Sequence, residues 1–135
     1  MSITVFRKSH FNAAHRLFRK DWDDEKNNAV FGKCNNPNFH GHNYELEIGV
    51  TGEIDQETGF LIDIERLKRI IKEEIEDYLD HKNLNLDIPE FKELNPTMEN
   101  ISILIWNKLR KQLESHFEIT VKLFETPRNF VIYKG

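Results

Sequence analysis

Four stretches of the chain have the pattern of β-strands. The clearest is residues 44–52, where apolar and polar residues alternate strictly and predict a strand buried on one face. Its apolar positions are Tyr44, Leu46, Ile48 and Val50. Residues 3–15 lack a helical pattern and predict an earlier strand. Residues 117–124 and 129–133 predict two later strands, joined by a turn at Thr126-Pro127-Arg128.

Between these strands the hydrophobic period changes to that of a helix. Apolar residues recur at spacings of three and four after Asp63, itself a good N-cap, and predict a helix that ends near Leu79. A second helix is predicted from Pro96-Thr97 onward, because proline is favoured where a helix begins. Residues 18–38 are polar and aperiodic, so we expect them to form a long loop.

The predicted element order is ββααββ. This order indicates an α+β fold in which two helices cover one face of a four-stranded antiparallel sheet. A chain of 135 residues has the size of one domain, so residues 1–135 are expected to form a single domain. A sheet of four strands keeps two open edges, and proteins commonly pair or cover such edges, so we expect an oligomer that continues the sheet.

Charge and composition narrow the class of protein. The 19 basic and 23 acidic residues give a net charge of −4, which argues against a protein that coats nucleic acid. Residues 1–33 hold seven basic and four acidic side chains, a local charge of +3 that suits either a small polyphosphate or a solvated surface loop. No apolar run approaches the roughly 18 residues of a membrane span. The single cysteine, Cys34, fits a reducing compartment, so we expect a cytoplasmic protein.

The strongest chemical motif is His40-Gly41-His42, just before the strand at 44–52. Residues two apart in a strand point to the same face, so both imidazoles can reach one metal ion. His15, at the end of the first strand, is a candidate third ligand, and three neutral imidazoles with an open fourth position are typical of catalytic zinc. Two half-exposed surface histidines are the alternative, because this short motif also occurs by chance.

Cys34 lies six residues before His40 and has two chemical interpretations. It is either a fourth ligand, which would close the site and make the zinc structural, or a thiolate that exchanges protons beside an open metal position. Asp80 and His81 directly follow the first helix. Either the carboxylate tunes this imidazole for proton transfer, or the histidine simply interacts with the helix dipole.

Three further residues are candidates for ligand contact. Glu125 ends a predicted strand, and its carboxylate can accept two parallel N–H bonds from the edge of a guanine-like or pterin-like ring; an exposed turn acid is the alternative. Thr97 and Glu99 open the second helix, where they either cap it or meet a ligand at its N-terminus.

Taken together, five separate segments resemble the 6-pyruvoyl-tetrahydropterin synthase family. They occur in the family's order within residues 5–135, and they are residues 11–17, 31–44, 80–87, 96–100 and 124–126. The resemblance implies the tunnelling fold (T-fold), in which three ββααββ subunits close a twelve-stranded barrel and two trimers stack into a homohexamer.

The resemblance also implies a role for each candidate residue. The residues that look like Zn2+ ligands are His15, His40 and His42. Those that look like the catalytic group are Cys34, Asp80 and His81. Glu125 looks like the pterin anchor, with Thr97 and Glu99 lining the pocket. The implied substrate is 7,8-dihydroneopterin triphosphate, which loses triphosphate and rearranges internally to 6-pyruvoyl-tetrahydropterin without a nicotinamide.

The chain departs from the family pattern in two places. Pro127-Arg128 stand where animal enzymes are acidic and polar, and Phe39 stands where a small residue is common and is expected to narrow the entrance. The related 6-carboxy-tetrahydropterin synthase of queuosine synthesis commonly has three residues between its cysteine and HGH motif. This chain has five, Asn35 to Phe39, which favours the pyruvoyl enzyme. A pterin-binding module without turnover is a further alternative.

Overall fold

A computed structural model describes residues 2–135 and shows an α+β fold built on a five-stranded sheet. The strands are β1 (Ile3–His15), β2 (His40–Gly52), β3 (Lys82–Asn83), β4 (Glu118–Phe124) and β5 (Phe130–Tyr133). The helices are α1 (Asp24–Phe31), α2 (Ile64–Ile71, continued by a π-helical turn at Lys72–Glu76 and by Asp77–Leu79), α3 (Leu84–Asp87) and α4 (Met98–Gln112). Short 3₁₀ turns lie at Gly32–Asn35 and Pro89–Phe91.

The strand order across the sheet is β3-β1-β2-β4-β5. Strands β1 and β2 pair antiparallel along their whole length, from Ile3 opposite Gly52 to His15 opposite His40. Strands β4 and β5 extend the sheet antiparallel, while the short β3 pairs parallel with β1 at Ala13 and Ala14. The long β1–β2 pairing matters for function because it brings together chain segments that flank the 16–39 connection.

The core lies on one face of the sheet, as the alternation in the sequence predicts. The inward residues of β2, all with 0% exposure, are Tyr44, Leu46, Ile48 and Val50. Buried apolar residues of α2 and α4 complete this core, and they include Leu67, Ile71, Ile75, Ile101, Ile105 and Leu109. None of the helices in residues 2–135 combines the length and the apolar character needed to cross a membrane.

The expected helix starts are confirmed. Asp63 caps α2 by accepting the backbone N–H of Glu65 at 3.0 Å, and Thr97 caps α4 by accepting that of Asn100 at 3.2 Å. Strand β2 begins at His40, earlier than the alternating stretch at 44–52, so the HGH motif belongs to the strand itself.

The expected loop at residues 18–38 is wrong, since it contains α1 and a 3₁₀ turn. Asp23 caps α1 by accepting the N–H of Lys26 at 2.8 Å. The buried Asn27 side chain accepts the N–H of Arg19 at 2.8 Å and donates to the carbonyl of the same residue at 2.9 Å. Hydrogen bonds rather than an apolar stripe hold this helix, so its sequence shows no helical period.

The expected four-stranded antiparallel sheet and the simple ββααββ order also need correction. Strand β3 adds a fifth strand, and it runs parallel to β1. It has two residues, too few to produce a recognisable alternation. The additional helices α1 and α3 interrupt the expected order, and α2 contains a π-helical turn at Lys72–Glu76.

Candidate metal centre and adjoining cavity

The pairing of β1 with β2 brings three histidines to one end of the covered face. His15 is the direct partner of His40, and His42 is opposite Ala13, two residues from His15. Residues two apart on a strand share a face, so the three imidazoles lie on the side that also carries the buried Tyr44. The HGH motif and His15 therefore lie close together in the structure, as their positions in the two strands indicate.

The three rings form a compact cluster. The ring centroids are 4.5 Å apart for His15–His40, 5.0 Å for His15–His42 and 5.1 Å for His40–His42. One ligand atom from each histidine lies within 4.8 Å of the others. Within residues 2–135 this is the one cluster of potential metal-binding side chains, and Cys34 is not part of it. The alternative in which Cys34 is a fourth ligand therefore gains no support from the structure.

One backbone carbonyl fixes the orientation of His15. Its ring is fully buried, and Nδ1–H donates to the carbonyl of Pro96 at 2.7 Å, which leaves Nε2 with a free lone pair. Three buried ring nitrogens have no hydrogen-bond partner: His15 Nε2, His40 Nδ1 and His42 Nε2. An unsatisfied buried polar atom costs about 1–3 kcal/mol, and a shared metal ion would satisfy all three. The donor set thus fits a divalent cation that prefers imidazole.

Burial keeps two of these rings neutral. The pKa of His15 is lowered to about 4, chiefly by burial; the Pro96 hydrogen bond opposes this shift, and the neighbouring His40 and His42 contribute to it. Burial also lowers the pKa of His42, against the opposing charge of Glu125. Neutral imidazole is the form that binds metal, so the protonation states at neutral pH suit the proposed ligands.

A cavity of about 620 Å³ adjoins the histidine cluster, and His40, His42, Lys33 and Cys34 contribute to its lining. Cys34 is a free, half-buried thiol. Its 3₁₀ turn is tied to the end of β1, because Leu17 N–H donates to the Cys34 carbonyl at 2.8 Å. The Cys34 thiol and the imidazoles of His40 and His42 therefore line the same cavity. A backbone hydrogen bond holds the turn that carries Cys34 against the end of β1.

Glu125 reaches the cluster from the turn after β4. Its Oε1 lies 3.0 Å from His42 Nε2, with both side chains about one-fifth exposed. Although the two atoms are close, they do not form a hydrogen bond, and His42 Nε2 has no hydrogen-bond partner. Nearby, burial and the charge of Glu125 raise the pKa of Tyr44, which keeps this phenol protonated. The carboxylate of Glu125 therefore lies beside the histidine cluster rather than in an ordinary exposed turn.

Asp80 and His81 form a pair outside the cavity lining. Asp80 Oδ2 is 2.8 Å from His81 Nδ1, and the His81 side chain is 82% exposed. The backbone N–H of Asn12 donates to Asp80 at 2.8 Å and, together with His81, lowers the pKa of Asp80. This contact is made to the main chain of β1, three residues before His15. Within one chain, Asp80 and His81 belong neither to the histidine cluster nor to the cavity lining.

Three other sequence candidates also lie outside the cavity lining. The Thr97 hydroxyl caps α4, and Glu99 is exposed on its first turn.

Phe39 does not line the cavity, so the expected narrowing of the cavity entrance by this side chain is not seen. Instead Phe39 has a φ of 69°, a left-handed conformation that costs energy for a bulky residue, directly before His40.

Comparisons with known proteins show the family of the chain. The family model described as 6-pyruvoyl tetrahydropterin synthase matches residues 4–135. The chain belongs to this family. The 6-pyruvoyl tetrahydrobiopterin synthase of Homo sapiens is 47% identical over 131 residues, which cover 97% of this chain and 90% of the human protein. That of Dictyostelium discoideum is 44% identical over 137 residues, covering 100% and 99%.

A solved structure extends the family likeness to three dimensions. The structure of Caenorhabditis elegans 6-pyruvoyl tetrahydropterin synthase matches with a TM-score of 0.94 at 38% identity, covering 100% of this chain and 96% of that one. Family membership therefore rests on sequence and on fold together. The roles of the individual site residues stay predictions.

Two groups that shape the site are not predicted by the sequence of this 6-pyruvoyl tetrahydropterin synthase family member. The Pro96 carbonyl orients His15, yet a backbone atom leaves no signal in residue type. Asn28 lines the cavity and accepts a hydrogen bond from Asn35 at 2.7 Å, but it lies in the helix that was expected to be loop. The Asn-rich composition around Cys34 was the available signal for such a network.

Proposed function

We propose that this protein is a metal-dependent 6-pyruvoyl-tetrahydropterin synthase that acts on 7,8-dihydroneopterin triphosphate. The observation that carries the proposal is the set of three unpartnered imidazole nitrogens beside a cavity lined by the chain's single cysteine. Relatives named as 6-pyruvoyl tetrahydrobiopterin synthases, 44–47% identical over nearly the full chain, support the choice of reaction.

In this proposal His15, His40 and His42 hold the metal. Three imidazole ligands favour Zn2+, a cation of borderline softness. When bound, zinc supplies Lewis acidity that makes C–H bonds next to the substrate's side-chain oxygens more acidic. The buried Nδ1–H···O=C bond to Pro96 holds His15 in the tautomer that this role needs. Since the side chain is oxidised while the ring is reduced in the same molecule, no external redox cofactor is required.

Cys34 is proposed as the group that removes a proton from the substrate's side chain. It shares the cavity with His40 and His42, and a thiolate is the reactive form of cysteine. Glu125 is proposed to accept two N–H bonds from the pterin edge and so to hold the ring in register. Lys33, the cation in the cavity lining, is the nearest candidate to contact the triphosphate.

The Asp80–His81 pair is proposed as the second proton-transfer group. The short contact between the two side chains and the Asn12 N–H bond keep Asp80 ionised and aim it at the imidazole. Because the pair is exposed and lies outside its own chain's cavity lining, this role requires chains to associate. We accordingly propose a cytoplasmic homohexamer, in which Thr97 and Glu99 also approach the pocket.

The direct test is incubation of the metal-loaded protein with 7,8-dihydroneopterin triphosphate, followed by mass spectrometry of the pterin and assay of released triphosphate. The expected result is 6-pyruvoyl-tetrahydropterin with one triphosphate released per turnover. A 6-carboxy product would assign the chain to the queuosine-pathway reaction instead. Tight substrate binding with no product would identify a binding module. Either result would overturn the proposed activity.

A further inference from the structure

A second cavity, of about 330 Å³, lies between β1 and α2 on the covered side of the sheet. We call it the basic groove, and its charged lining residues are Arg7, Glu65, Lys68, Arg69, Lys72 and Glu76. It therefore gathers four cations and two carboxylates. Arg7 and His15 are eight positions apart on β1, which is roughly 27 Å at about 3.4 Å per residue. The groove is thus separate from the catalytic cavity of the same chain.

Most of the positive charge in the basic groove has no internal partner. Lys72 pairs with Asp77 at 2.8 Å, and Glu76 accepts the Ser9 hydroxyl at 2.5 Å. The side chains of Arg7, Lys68 and Arg69 make no ion pair or hydrogen bond with any of residues 2–135. Counted with Glu65 and Glu76, the four cations leave the lining net positive, and a net positive concave site attracts anions.

The position of Arg7 strengthens this argument. The alternation of β1 puts Arg7 on the covered face, between Val5 and the buried Ser9, and its side chain is half-buried there. A partly desolvated cation without a partner is unfavourable unless an anion compensates it. The planar guanidinium group binds two phosphate oxygens in parallel, which a solvated surface lysine does not do.

The local helix geometry is a second, independent observation. The π-helical turn of α2 spans Lys72–Glu76, and both of its end residues line the basic groove. Single π turns inside helices are rare and occur frequently at functional sites. The one irregular turn of α2 therefore borders the charged cavity at both of its end residues, while Ile75 within the turn packs in the core.

We infer that the basic groove binds a small phosphate-bearing ligand, with Arg7, Lys68 and Arg69 as its contacts. The volume is at the lower end of small-molecule sites, which fits one or two phosphate groups and little more. This site lies beyond the proposed catalytic function and does not depend on it.

Isothermal titration of the metal-loaded protein with inorganic pyrophosphate at low salt tests the inference. The double variant K68Q/R69Q changes two exposed residues, and K111Q/K134Q removes the same charge from exposed positions elsewhere. Pyrophosphate affinity is expected to fall at least tenfold in K68Q/R69Q and less than twofold in K111Q/K134Q. Pterin turnover by K68Q/R69Q is expected to stay at the wild-type level.

A third variant, K33Q, separates the two cavities because Lys33 lines only the catalytic one. Pyrophosphate binding that survives in K33Q and is lost in K68Q/R69Q supports the basic groove. Binding lost only in K33Q would place the anion in the catalytic cavity and overturn the inference. Equal losses in the groove and control variants, or no binding to the wild-type protein, would overturn it as well.

Discussion

The orientation of His15 depends on a short segment that carries no metal ligand. Pro96 accepts the His15 Nδ1–H, and the preceding Asn95 accepts three hydrogen bonds. Its side chain accepts the backbone N–H of Phe18 at 3.0 Å. Its carbonyl accepts the side-chain amide of Asn100 and the backbone N–H of Thr97, both at 2.9 Å. Groups that orient metal-binding histidines typically contribute tenfold or more to metal affinity. The Asn95 side chain should therefore influence the metal without touching it.

We predict that Asn95→Ala weakens zinc binding by about tenfold, because it loosens the carbonyl that orients His15. Competition with a fluorescent chelator measures this affinity. Asn107→Ala, an exposed change on α4, is the matched control and should leave the affinity unchanged. Equal affinities for both variants and the wild type would show that Pro96 is positioned independently of Asn95.

Replacement of Cys34 separates metal binding from chemistry. We predict that Cys34→Ala keeps one metal ion per chain but loses turnover by about 100-fold or more, as expected for a positioned proton-transfer group. His40→Ala should lose the metal, since it removes one of three ligands. Metal analysis and triphosphate release provide the two readouts. Loss of metal from Cys34→Ala would instead favour a structural four-ligand site.

At this scale the sequence predicted the residues that share a strand face and little else. His40 and His42 could be assigned to one metal site because strand periodicity alone puts them on the same face. His15 could be added because it lies at the end of the neighbouring strand. The Pro96 contact could not be foreseen, since it depends on where a loop 81 residues away meets β1. The exposed location of His81 depends on tertiary structure in the same way.

Helix α1 depends on one buried amide. The Asn27 side chain bonds to Arg19 in both directions and is 4% exposed. We predict that Asn27→Ala costs about 1–3 kcal/mol, because it leaves buried backbone groups unsatisfied. Urea denaturation measures the cost, and hydrogen exchange should show faster opening of Asp24–Phe31 first. Asn107→Ala should have almost no effect in the same assays, and equal protection of α1 in both variants would contradict the prediction.

Tyr78 at the end of α2 should make stability depend on pH in the alkaline range. Burial, followed by the hydrogen bond to Glu90, raises its pKa to about 12. The folded protein therefore keeps a proton that the unfolded chain releases from about pH 10. The stability from this group is complete below pH 10 and is lost as the pH rises towards 12.

Tyr78→Phe provides the control for this prediction. The stability difference between wild type and Tyr78→Phe should shrink from pH 10 to 12, because the variant lacks the titrating phenol. Urea denaturation at several pH values measures the difference, and absorbance at 295 nm follows phenolate formation. A constant difference across this range would mean that Tyr78 titrates normally in the folded protein.

The elements that the sequence failed to predict share a physical cause. Helix α1 is held by polar side chains, and β3 has two residues that pair only because α2 ends beside β1. The π-helical turn at Lys72–Glu76 leaves the apolar spacing of α2 readable, so the pattern predicted a regular helix there. Hydrophobic periodicity detects elements that bury an apolar face, and these three depend on other interactions.

The two open edges of the sheet bear on how whole chains associate. β3 pairs with β1 only at Ala13 and Ala14, and β5 ends the sheet on the other side. The open face near this second edge carries exposed apolar side chains, with Phe130 at 47% and Ile132 at 48% exposure. Unpaired edges beside apolar surface favour association, so we predict that the chains assemble.

We predict that the protein in solution has the mass of six chains of 16.1 kDa each. Size-exclusion chromatography with light scattering measures this mass at micromolar concentration. Ile132→Lys should shift the population to smaller species, because it adds a charge beside Lys122, its neighbour across the strands. Ile54→Lys adds the same charge at another exposed position and should leave the hexamer intact. A wild-type mass of one chain would contradict the continued sheet, and it would also leave the exposed Asp80–His81 pair without a cavity to serve.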